Sequence, residues 1–160
     1  MPINKKEDAK KKIFSALAVA FFGFILLNIT FFLLFLYHKL IDSITQASIQ
    51  PDMNMAFDWY PLAKYLGFLI IIGTMTYKVF RSKLKTIYKA IYLTVPLAVM
   101  YATTGMYLHR WPVAVYTIGT ISTAGILYWF YRTKQPWIYH YTLILMATVM
   151  FLITVLGVEI

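Results

Sequence analysis

From Ile13 to Tyr37 the chain carries no charged residue. At 1.5 Å of rise per residue, that run makes more helix than the ~30 Å hydrocarbon core of a bilayer requires. A soluble fold would have to bury it on every side. Composition argues against that, since 61% of the 160 residues are hydrophobic and only 13% are charged. Soluble domains run at about 45–50% apolar and about 25% charged. The expected class is an all-α, polytopic membrane protein.

The basic segment Met1–Lys12 precedes this run, as it would in a secretory signal. A signal's apolar core is about 7–15 residues long and ends at a small-residue cleavage site. Here the run flows on into FFLLFLYH, which offers no such site. A retained first span is expected, with residues 1–12 as a basic cytoplasmic tail and residues 13–160 as one transmembrane domain.

Apolar periodicity and helix-breaking residues predict five transmembrane helices, at about 13–37, 61–80, 90–108, 112–131 and 137–158. Orientation follows from the basic residues, which favour the cytoplasmic side. Lys5, Lys6, Lys10, Lys11 and Lys12 form one cluster, and Lys78, Arg81, Lys83, Lys85 and Lys89 form another. Both can be cytoplasmic only if the second segment spans, although its charge-free part, Tyr65–Tyr77, is short. Arg132 and Lys134 then also lie inside, leaving three of the 15 Lys and Arg outside, namely Lys39, Lys64 and Arg110. The N-terminus is predicted cytoplasmic and the C-terminus outside. The net charge of +9 reads as an orientation signal and as affinity for anionic lipid headgroups at the cytoplasmic face. Nucleic acid is not an expected partner. Trp59, Trp111, Trp129 and Trp137 all fall at predicted interfaces, where amphipathic rings prefer to sit.

Several functions are excluded or disfavoured by inventory. The chain has no cysteine, which removes disulfides, thiolate metal sites, Fe–S clusters and cysteine nucleophiles. Away from their ends, the predicted spans hold no Asp, Glu, Lys, Arg or His. That disfavours proton relays, intramembrane aspartyl proteolysis and acidic metal clusters. No Gly-rich phosphate loop, nucleophile elbow or HExxH occurs, and no cofactor is implied.

What remains polar within the spans is mostly hydroxyl. Thr94, Tyr101 and Thr104 share one side of the third helix, and Tyr116, Thr120 and Thr123 share one side of the fourth. One reading is a cavity between these helices, lined by hydroxyls, for a small amphiphile. The structural alternative is tight packing through small residues, with threonines bonding their own backbone. Pro96 should kink the third helix.

Ala16 and Ala20, with Ser15 and Ala18 beside them, form a small-xxx-small pattern that allows close helix approach. It resembles the Ala-xxx-Ala of the first helix in substrate-binding components of energy-coupling vitamin transporters. Those have six helices where five are read here. The resemblance implies a transport role as an alternative and assigns no ligand residue.

Between the first two spans lies an outer loop at 38–60. Leu40, Ile41, Ile44 and Ala47 stand at helical spacing, so an amphipathic extension of the first helix is expected, ending at Gln50-Pro51. The segment that follows, rich in Met and aromatics, reads as a cap or lid anchored by Phe57 and Trp59. His38 and His109 both fall on the outer side and are the candidate ligands for a metal or haem. The expected function is binding rather than catalysis. The protein would act as a small subunit of a membrane assembly or a homo-oligomer, or as a binder of a lipid or small amphiphile.

Overall fold

The computed structural model describes residues 5–48, 60–108 and 110–155. These form five helices and, among the described residues, no strand: α1 (Lys5–Ser48), α2 (Tyr60–Arg81), α3 (Thr86–Leu108), α4 (Pro112–Arg132) and α5 (Trp137–Val155). The helix number and order agree with the sequence reading. α1 is longer than expected. Its 44 residues take in the basic segment from Lys5 and continue through His38 to Ser48. The amphipathic extension is therefore one continuous helix with the first span, and its end falls just short of the predicted stop at Pro51.

Among the described residues, two helices are long and apolar enough to cross a membrane, over Ala9–Thr45 and Val113–Arg132, and a shorter apolar stretch covers Trp137–Ile153. Five such spans were expected. α2 and α3 fall short because Lys64, Lys78 and Lys89, with several Thr and Tyr, dilute their apolar runs.

α3 is the central helix and packs against each of the other four, while α2 and α4 pack on α3 and not on each other. The tightest packing lies toward one end. Val19 of α1, Leu93 and Leu97 of α3, Phe130 of α4 and Leu143 and Met146 of α5 form one buried cluster. Their positions in the chain bring the first half of α1, the starts of α3 and α5 and the end of α4 to the same level. α1 packs tightly on α3 at Gly23, where an added Cβ would stand 2.7 Å from Thr94 Cγ2. Glycine leaves room there for the Thr94 side chain. Val19, one turn earlier, is fully buried, with Ala16 and Ala20 half-buried beside it.

The α2–α3 and α4–α5 connections lie at this same end. α2 passes to α3 through Ser82–Lys85, and Lys89 Nζ of α3 donates to the Phe80 carbonyl at the end of α2 (2.8 Å), satisfying a group the helix leaves open. α4 closes on a Schellman-type cap. Gln135 N–H donates to Phe130 O (2.9 Å) and Lys134 N–H to Tyr131 O (3.1 Å), with Lys134 in the left-handed region at φ 50°. The basic residues of α2–α5, Lys64 and Arg110 apart, are thereby gathered at one pole with the start of α1.

Polar side chains along the helices mostly bond their own backbone. Asn28 Nδ2 donates to Phe24 O, Thr30 Oγ1 to Leu26 O and Thr117 Oγ1 to Val113 O, each one turn back. A hydroxyl so engaged can face hydrocarbon without an unpaired donor.

Candidate functional site

The six hydroxyl residues expected to line one α3–α4 cavity are distributed over four places. Thr94 is fully buried at the α1–α3 contact, donating to Ile91 O (2.7 Å). Tyr101 and Thr123 do meet between α3 and α4, at 2.6 Å. Thr123 Oγ1 donates its own proton to Gly119 O (2.7 Å), so Tyr101 is the donor of the pair. That bond fastens the two helices together. Tyr116 and Thr120 face a shallow depression on α4, where the Tyr116 ring stands edge-on to Phe151 of α5 at 5.7 Å. Thr104 faces the other side, toward α2.

There the structure holds a groove of about 450 Å³ between α2 and α3. Ile72, Gly73 and Thr76 line it from α2, and Pro96, Met100 and Thr104 line it from α3. Its walls are mainly apolar. The hydroxyls within it are engaged with backbone: Thr76 bonds Ile72 O (2.7 Å) and Thr104 bonds Met100 O (2.9 Å). Two local features open the space. Gly73 contributes no side chain, and an added Cβ there would meet nothing within 4 Å. Pro96 cannot donate to the carbonyl one turn back, which bends a helix away from its neighbour. At one end of the groove the Tyr65 hydroxyl bonds Thr103 Oγ1; Thr103 in turn donates to Val99 O. The Tyr65–Thr103 contact across α2 and α3 repeats the device of Tyr101–Thr123 across α3 and α4.

Beyond Tyr65, an ion pair joins α1 to α2. Lys64 Nζ stands 2.8 Å from Asp42 Oδ1. One turn below Asp42 on α1, His38 Nε2 is buried and has no hydrogen-bond partner among the described residues. Tyr37 leans on α2, with its ring 5.9 Å from that of Phe68 and its hydroxyl where a Cβ on Gly67 would be. His109, Phe57 and Trp59 lie outside the described residues, and with them the pairing of His38 with His109 and the expected cap. No group of three or more His, Cys, Asp or Glu comes together among the described residues.

The α2 side of the groove was missed in the sequence. Its signal was present, in a glycine set within the Ile-rich LIIIGT and facing a helix interrupted by proline. Chemically, the groove offers apolar walls, hydroxyls already engaged and no charged group. Such a surface suits an apolar chain. Neither a family model, a curated protein nor a solved structure matches the chain.

Proposed function

We propose that this is an integral protein of the cell membrane that works by binding, taking a lipid or small amphiphile into the α2–α3 groove. In this reading all five helices span, with the N-terminus cytoplasmic, the C-terminus outside and residues 13–160 as one transmembrane domain. The observation that carries the binding role is the groove itself, an open and mainly apolar space lined by Gly73 and Pro96, with the Tyr65–Thr103 bond at one end. Three facts support the five spans. The shortest helix, α5, has 19 residues, which is about 28 Å of rise. The basic residues gather where cytoplasmic charge belongs. Large apolar side chains stand bare around the bundle, Phe24 at 69% exposure among them, to an extent that water-facing surfaces seldom tolerate. α2 and α3 are less apolar, but most of their threonine hydroxyls bond backbone one turn back, as Thr74, Thr76, Thr103 and Thr104 do, which lets such groups lie in a membrane.

A second reading, as a small subunit of a membrane assembly, draws on the breadth of bare apolar surface along α1, from Phe14 to Phe35. A stoichiometric partner recovered with the protein would favour it.

Gly73→Phe tests the binding role. The new ring has open space at its root, so it fills the groove without displacing the bundle. Native mass spectrometry of the detergent-extracted wild type should show a bound amphiphile. The variant should lose it at least ten-fold while melting at an unchanged temperature. Equal retention by both proteins rules the groove out.

A further inference from the structure

Between Asp58 and Glu159 the sequence contains no carboxylate. The cations of α2–α5 therefore have no acidic residue on those helices to pair with, and the fold places all of them except Lys64 and Arg110 at one pole. Two are used internally. Lys89 bonds Phe80 O, and Arg81 lies over the Tyr77 ring at 5.7 Å and bonds its hydroxyl. Lys83 and Lys85, in the α2–α3 connection, are exposed on either side of Leu84, itself 48% exposed.

One face of α3 runs up from this connection to the groove. At 100° per residue, Lys85, Lys89, Tyr92, Pro96, Val99 and Thr103 fall in one stripe. The upper half of that stripe lines the groove. In its middle, the Tyr92 hydroxyl is buried with no hydrogen-bond partner among the described residues. From the first residues of α3 to Pro96 the rise is about 15 Å, the depth of one leaflet of a ~30 Å hydrocarbon core.

We infer that the α2–α3 seam seats one anionic phospholipid, its phosphate at Lys83 and Lys85 and an acyl chain running along the Tyr92–Pro96 stripe into the groove. This deepens the binding reading above and rests on it. Cations outnumber carboxylates at this pole, where Glu7 and Asp8 of α1 are the acidic residues, and that excess favours a negative headgroup. Leu84 and Tyr88, 55% exposed beside the lysines, need an interfacial, partly apolar setting that nucleic acid or an acidic protein in water would not supply.

The experiment uses the full chain in nanodiscs of equimolar phosphatidylglycerol and phosphatidylcholine, with native mass spectrometry on release. The wild type should retain one phosphatidylglycerol at five-fold or more over phosphatidylcholine. Lys83→Gln with Lys85→Gln should bring that ratio near one without loss of total bound lipid. Lys83→Arg with Lys85→Arg should keep it. Glycerol phosphate, which has the charge and no chain, should not displace the lipid. A ratio near one in the wild type, a ratio unchanged by the glutamine pair, or displacement by glycerol phosphate overturns the inference. Gly73→Phe separates the two claims, because it lowers retention of both lipids if the groove binds at all.

Discussion

Leu143→Ala should destabilise the bundle by about 2–3 kcal/mol, seen as a clear fall in melting temperature in detergent. Leu143 is 0% exposed and sits where α1, α3, α4 and α5 meet. In lipid the transfer term is small, because acyl chains are as apolar as leucine. What the truncation removes is contact. A buried leucine makes many weak dispersion contacts, and a cavity leaves its lining atoms without partners. Leu→Ala in packed cores costs about 2–5 kcal/mol, and the missing transfer term places this site toward the lower part of that range. The neighbouring residue supplies the control. Ile144 is 53% exposed on the outer face of α5, and Ile144→Ala should leave melting within a degree. Equal effects at the two positions would mean that α5 does not pack on the face assigned here.

Gly23→Leu should be at least as damaging, by the opposite route. Its Cβ would meet Thr94 Cγ2 at 2.7 Å, and Thr94 is 1% exposed and pinned by its bond to Ile91 O. Neither side can give way without moving a helix, and overpacking of this kind costs about 1–3 kcal/mol and occasionally more. Thr94→Ala removes the methyl that is struck. The pair Gly23→Leu with Thr94→Ala should therefore recover part of the loss, giving a non-additive double mutant. Strict additivity would place the α1–α3 contact elsewhere.

The helices were legible because their signals are local. The charge-free run of α1, the turn at Arg81–Lys85 and the Pro112 start of α4 each fix an element within a few residues. The length of α1 was half legible. The spacing of Leu40, Ile41 and Ile44 gave the extension, but the sequence did not show that Lys5–Lys12 continue the same helix. The site was misplaced because the reading gave weight to residues with chemistry. Thr94, Tyr101 and Thr104 lie within a broad arc of α3, yet three different neighbours take them, namely α1, α4 and α2. Which helix faces which side of α3 is a property of the whole bundle and not of the α3 sequence. The groove was overlooked for a related reason. It is made by what two residues lack, a side chain at Gly73 and a backbone donor at Pro96, and absences carry little signal until the opposing helix is known.

The central claim is that an amphiphile occupies the α2–α3 groove in the membrane. A photo-crosslinking diazirine side chain introduced at position 73 tests it most directly in living cells, against the same side chain at Ile121, which is exposed on α4. Crosslinked protein from position 73 should carry one dominant lipid class, enriched several-fold over its share of the membrane. Protein from position 121 should carry the bulk lipid mixture. The same mixture at both positions would contradict the account.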